Sequence, residues 1–73
     1  MSEYVINLRW DSEAAVWIAL SDDVPGLALE SGSCDVLIER VRYAVPELLE
    51  LNGMEHNDIF ICFKAERHEK AYA

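Results

Sequence analysis

Residues 34–51 carry the one helical apolar stripe in this chain, and that limits every fold it can adopt. Leu37, Val41, Ala44, Val45, Leu48, Leu49 and Leu51 recur at spacings that line one side of an α-helix. Ser33 is a good N-cap, and Asp35 places a negative charge in the first turn, where the helix dipole favours it. Asn52-Gly53 is a fitting C-terminal stop. Pro46 interrupts the stripe, and an interior proline costs ~3 kcal/mol through a lost hydrogen bond and a clash one turn back. The expectation is a kink, or a split into two helices with Pro46 at the first position of the second. Either way, any sheet formed by the rest of the chain can be covered on one face only.

The remaining segments read as strands. Residues 3–10 alternate, with Tyr4, Ile6, Leu8 and Trp10 on one face and Val5, Asn7 and Arg9 on the other. Asp11-Ser12-Glu13 reads as a tight turn. Residues 14–21 are again extended, with Val16, Ile18 and Leu20 opposite Trp17 and Ala19, so the two runs make a hairpin. Pro25-Gly26 fits the centre of a type II turn: proline presets φ and glycine accepts the positive φ that follows. Residues 27–31 form a short third strand. After a turn at 54–57, residues 58–64 alternate as a fourth.

The order β-β-β-α-β defines a small α+β domain. The first three strands form an antiparallel meander, and a right-handed crossover returns the fourth beside the first, giving the order 3-2-1-4. The natural inner set is Tyr4, Ile6, Leu8, Val16, Ile18, Leu20, Leu27, Leu29, Ile59, Ile61 and Phe63. The outer face would then carry Val5, Trp17, Ala19, Ala28, Phe60 and Cys62, too apolar to stand wholly in water. Val5, Trp17, Ala19, Phe60 and Cys62 are therefore the expected face for self-association or a partner. Residues 1–65 make the domain, and 66–73 a charged, flexible tail.

Length and charge narrow the function. The chain has 73 residues, enough for one domain, and one this short buries only ~60% of its unfolded surface. Self-association is a common remedy for so small a core. With 14 acidic and 6 basic residues the net charge is −8, which disfavours nucleic acid and attracts basic proteins. Cys34 and Cys62 are far apart and form no disulfide framework or Cys-x-x-Cys pair. No signal peptide or membrane-length apolar run stands out, so the cytoplasm is expected.

Catalytic motifs are missing from the sequence: there is no P-loop, no Gly-x-Gly-x-x-Gly and no Gly-x-Ser-x-Gly. His56 falls in a polar turn and His68 in the charged tail, where both read as solvated. Cys34, at a helix start, reads as a small semi-buried hydrophobe. Asp11 and Glu13 sit at one end of the hairpin, Asp22 and Asp23 at the other. A two-metal centre needs ions ~3.5–4 Å apart, so these four acids do not make one. No metal and no cofactor is expected. As charged strand ends they can instead engage Arg or Lys of a basic protein, and Asp11, Glu13, Asp22 and Asp23 are the expected partner-binding acids.

Three stretches, read together, carry a family likeness. They are Trp10-Asp11-Ser12-Glu13-Ala14-Ala15-Val16-Trp17, then Ser21-Asp22-Asp23-Val24-Pro25-Gly26-Leu27, then Pro46-Glu47-Leu48-Leu49-Glu50-Leu51-Asn52-Gly53. Over roughly residues 3–65 the chain resembles a bacterial family of short proteins grouped with the HicB-like antitoxins. The resemblance implies a partial ribonuclease H-like fold. It also implies binding and blocking of a small ribonuclease toxin, HicA, which has a double-stranded-RNA-binding-like fold and a catalytic histidine. Many HicB proteins add a C-terminal DNA-binding domain and form dimers or tetramers. This sequence shows no helix-turn-helix or ribbon-helix-helix after the fourth strand, so DNA binding by this chain alone is not expected. The ribonuclease H carboxylates find no residue-by-residue match here, so the resemblance carries no catalysis.

The residues thus point to a non-catalytic protein-binding domain, and the resemblance implies an antitoxin for a basic HicA-type ribonuclease. Trp17 and Phe60 are its expected apolar anchors. The alternatives are a stand-alone homo-oligomer serving another protein and, further off, a ribonuclease H-like remnant enzyme.

Overall fold

The computed structural model describes residues 2–54 and 58–72. Its elements are β1 (Ser2–Asp11), β2 (Val16–Leu20), β3 (Ala28–Ser31), α1 (Cys34–Leu51) and β4 (Ile59–Glu66). The four strands form one sheet in the order β3-β2-β1-β4, antiparallel except for the parallel β1–β4 pair. The β-β-β-α-β topology and strand order are those the sequence predicts. The turn expected at 54–57, with His56 in it, lies from residue 55 onward outside the described residues.

The helix forms where its caps demand. Ser33 Oγ accepts the Val36 N–H at 3.3 Å, satisfying one orphan donor of the first turn. At the other end Met54 N–H reaches Leu49 O at 2.9 Å and Gly53 N–H reaches Glu50 O at 3.0 Å, with Gly53 at φ 67°. That is a Schellman ending, and the left-handed backbone is why glycine stands there. Pro46 lies within the single helix and does not split it. Val45 and Leu49, fully buried on either side, hold the helix through the missing hydrogen bond.

Leu37, Val41, Val45 and Leu49 form the buried stripe of α1. They meet Tyr4, Ile6 and Leu8 from β1, Ala19 from β2, and Val24 and Leu27 from the loop between β2 and β3. Leu51, placed in the stripe by its spacing, is 82% exposed, because the helix has turned its last residue past the sheet.

The register of the first hairpin differs from the expected one. Asp11 pairs with Val16, Trp10 with Trp17, Arg9 with Ile18, Leu8 with Ala19 and Asn7 with Leu20. The connection is four residues, 12–15, not a turn centred on residues 11–13. Asp11 Oδ1 accepts the N–H groups of Glu13 at 3.0 Å and Ala14 at 3.3 Å, and Ala15 adopts φ 54° to complete the reversal. An even loop places even-numbered β1 residues on the same face as odd-numbered β2 residues. Trp17 and Ala19 therefore face the helix, and Val16, Ile18 and Leu20 face outward, the reverse of the expected assignment. Leu29, Ile61 and Phe63 keep their inner positions and pack against the core.

β4 continues to Glu66, two residues past the expected strand end at 64, and pairs with Arg9 there. Arg67 then stacks its guanidinium 3.9 Å from the Trp10 ring centroid. Trp10 in turn meets Trp17 edge-on, with centroids 5.5 Å apart and planes at 62°. The start of the charged tail is thus fastened to the inner face by a cation–π contact.

Truncating a fully buried stripe residue removes transfer energy and leaves a cavity. Leu37→Ala should cost about 2–5 kcal/mol in chemical denaturation. Leu51→Ala, on the same helix but exposed, should stay within about 0.5 kcal/mol of the parent.

Candidate interaction face

The sequence Ser21-Asp22-Asp23-Val24-Pro25-Gly26-Leu27 does mainly structural work. Ser21 Oγ donates to Val5 O at 2.7 Å and accepts the N–H groups of Asp23 at 3.0 Å and Val24 at 3.2 Å. Asp23 Oδ2 accepts the Val5 N–H at 2.7 Å. Both backbone groups of Val5 would otherwise lose their partners, because β2 leaves the ladder at Leu20. Two side chains thus replace a strand residue. Leu27 N–H closes the following turn on Val24 O at 3.2 Å, with Gly26 at φ 86° as the Pro-Gly pair requires. Val24 and Leu27, at the ends of that turn, are both buried.

Side-chain bonds fix two of the four predicted acids, Asp11 and Asp23. Asp11 and Asp23 spend their carboxylates on their own backbone, one at the hairpin loop and one on Val5. Glu13 and Asp22 are exposed. The structure brings Asp22 and Asp23 together but keeps them from Asp11 and Glu13. Val5 and Asp11 are six β1 residues apart, ~20 Å along the strand. Among the described residues no group of three or more His, Cys, Asp or Glu is placed to hold a metal.

The face opposite the helix carries Val5, Ile18, Leu20, Phe60 and Cys62. Leu20 is 42% and Phe60 52% exposed, high values for side chains on the body of a sheet. Of the residues expected here, Val5, Phe60 and Cys62 are present. Trp17 and Ala19 are not: Ala19 is fully buried under the helix, and Trp17 packs against the same core. Sequence reasoning misses Ile18 and Leu20, because their alternation is equally compatible with either face.

The pairing register maps this outer face. One cross-strand row reads Glu30, Ile18, Arg9, Glu66, and the next reads Ala28, Leu20, Asn7, Lys64. Beyond them Val5 stands beside Cys62, and Glu3 beside Phe60. The apolar residues thus form a diagonal band, from Ile18 and Leu20 on β2 through Val5 on β1 to Cys62 and Phe60 on β4. Arg9 and Lys64 border one side; Glu30, Asp22 and Glu3 border the other. Between them lies an open groove of about 590 Å³, with Asn7, Arg9, Leu20, Asp22 and Lys64 in its walls.

Glu66 ends the cationic border. His68 Nε2 lies 2.6 Å from its Oε1. That hydrogen bond, then the charge on His68, holds the Glu66 carboxyl below its ordinary value, with a further pull from Arg9. Cys34 and Cys62 are both half-buried free thiols. No helix among the described residues is long and apolar enough to cross a membrane.

Comparison with known proteins places the whole domain. A family model described as "Domain of unknown function (DUF1902)" matches residues 3–73. The crystal structure of the hypothetical protein TTHA1013, from the extremely thermophilic bacterium Thermus thermophilus, is similar at 38% identity with a TM-score of 0.84. The match covers 96% of this chain and 100% of that one. No curated protein matches.

The loop and tail contacts can be checked by substitution. Ser21→Ala strips partners from Val5 O and from two loop N–H groups, and should destabilise by about 1–3 kcal/mol. Asp22→Ala next to it should change stability by less than about 0.5 kcal/mol, so urea melts of the pair check the structural role of the loop. In an NMR titration, Glu66 should protonate below an ordinary glutamate, and His68→Ala should move it back up. Since folding lowers this pKa, any stability it adds is present above the unfolded value and lost as pH falls through the folded one.

Proposed function

The chain belongs to the DUF1902 family, and from that premise we propose that it is a non-catalytic protein-binding domain of the HicB-like kind. Its proposed partner is a small basic HicA-type ribonuclease, which it would neutralise, and the proposed compartment is the cytoplasm. The observation that carries the reading is the one-sided sheet. The helix covers β1, β2 and β3 from within, while on the other face no described element covers an apolar band in which Leu20 and Phe60 are exposed and Val5, Ile18 and Cys62 half-buried. Such a face on a single domain is characteristic of a surface that meets another macromolecule.

Electrostatics favours a basic partner. The chain carries −8 overall, and Glu13 and Asp22 keep exposed carboxylates beside the outer face and its hairpin tip. Asp11 and Asp23 are committed to the backbone and contribute field more than direct contacts. The resemblance in the three sequence stretches supports the antitoxin assignment in particular. The reading of the chain as a homo-oligomer draws on the same open face and differs in what covers it.

Co-expression tests the proposal. With a HicA-type ribonuclease in the same cell, this protein should restore growth and elute with the toxin as one complex. Glu13→Lys combined with Asp22→Lys should weaken capture at least tenfold while leaving the circular-dichroism melt nearly unchanged. Unrelieved toxicity, with both proteins soluble and eluting separately, would remove the antitoxin assignment.

A further inference from the structure

The outer face is charged in a pattern that fits its own image. Arg9 and Glu30 lie in one cross-strand row with Ile18 midway between them, one strand from each. Asp22 follows Leu20 at the end of β2, and Lys64 sits on β4 across Asn7 from Leu20. Asp22 and Lys64 line one groove together with Leu20 of the band. Each cation thus has an acid across the band.

That arrangement selects one way of doubling the molecule. Turning a face by 180° about an axis in its own plane, along the band, exchanges its two borders. The cationic border of one copy then lies over the acidic border of the other, twice. An in-plane axis across the band would instead set Arg9 and Lys64 against themselves. None of Arg9, Lys64, Asp22 and Glu30 has a side-chain ion pair within the chain among the described residues. Glu66, the acid on the cationic side, is engaged by His68. Arg9 and Lys64 thus sit on the same face as the apolar band.

We propose that this face binds a second copy of the chain through a two-fold axis along the apolar band, with Arg9 against Glu30 and Lys64 against Asp22 of the second copy. Ile18, Leu20, Val5, Cys62 and Phe60 of each copy meet along the axis. The interface is isologous and closed, so it makes a dimer and no filament. Two sheets packed in this way form a sandwich with a helix on each outer side. Four strands ~4.8 Å apart and ~20 Å long give a face of about 400 Å² in projection, small beside the ~800 Å² per partner of a standard interface. The dimer is accordingly weak and concentration-dependent, with the ion pairs setting its orientation more than its strength.

The inference rests on the protein-binding reading, and the second copy occupies the face a toxin would otherwise take, Asp22 included, so the two occupants exclude one another. Its test is a charge swap followed by sedimentation. The parent protein should double in mass over roughly 10–500 µM. The variant R9E/K64E makes both borders acidic, and D22K/E30K makes both basic. Each alone should remain monomeric over that range with a native circular-dichroism spectrum. Mixed one to one, they should form a heterodimer at least as tight as the parent, because every facing pair is then opposite in charge. A monomeric parent at the highest concentration, or a mixture that stays monomeric, overturns the proposal. Should a variant fail to fold, Leu20→Glu with Phe60→Glu gives the same readout from the centre of the band. Toxin capture separates the two proposals, since R9E/K64E alters none of the acids assigned to the toxin. Capture by a monomeric parent would leave the antitoxin reading standing and remove this one.

Discussion

Four residues between β1 and β2 decide which half of the sheet becomes core. With residues 12–15 in the loop, Asp11 meets Val16, and every later pair follows from that one. Had the loop one residue fewer, each β2 side chain would change face. Ala19 would leave the core and Leu20 would enter it, directly under the helix. The observed register puts a small residue at the centre of β2, between Leu8 and Leu29. That lets α1 lie close over β2 and β3, where its contacts concentrate. The loop is held to its length by chemistry, since Asp11 Oδ1 takes two of its N–H groups and Ala15 accepts a left-handed backbone. An alanine there costs ~1–2 kcal/mol relative to an unstrained conformation, and the pairing of five residues on each side holds it.

The acidity of this chain has two parts that the net charge does not separate. Some carboxylates serve as backbone partners where strands end. Asp11 turns the hairpin, and Asp23 with Ser21 stands in for the strand residue that β2 does not supply opposite Val5. Those acids fix geometry at the two ends of the sheet and are drawn away from external cations. Others, namely Glu3, Glu13, Asp22 and Glu30, are exposed and have no ion pair among the described residues. A charge-based reading of function therefore applies to the second group, and three of its members, Glu3, Asp22 and Glu30, border the apolar band.

Element order, helix limits and sheet topology were legible because each has a local signature. Ser33, Gly53 and the Pro25-Gly26 turn act within a few residues of themselves, and the crossover rule supplies β4. Pro46 was legible as an anomaly, but its outcome was not, because the helix is held by Val45 and Leu49 against strands far away in sequence. The interaction face was half legible. Val5, Phe60 and Cys62 follow from strands whose inner side is plain, whereas β2 alternates apolar residues with Trp17 and Ala19, which suit either side. Only the loop length resolves that, and loop length depends on side-chain hydrogen bonds that spacing does not show. The docking of Arg67 on Trp10 was equally hidden, since a charged residue after the last strand looks solvated until the parallel pairing carries it over the ring.

One helix over four strands leaves the molecule incomplete in two unequal ways. On the inner side α1 favours β3 and β2, so Ile59, Ile61 and Phe63 on β4 are only half-buried. A shallow depression opens there between Arg42, Pro46 and the edge strand. It is walled by helix and capped by Arg42, which already pairs with Glu39. On the outer side none of the described elements crosses the band. A small domain can tolerate a half-covered edge strand, because each side chain there keeps one packed flank. A continuous band across three strands, flanked by opposite charges, gains hydrophobic free energy at every residue at once when another surface covers it. The same one-helix stripe that limits this fold therefore also determines where it can bind: on the sheet face the helix cannot reach.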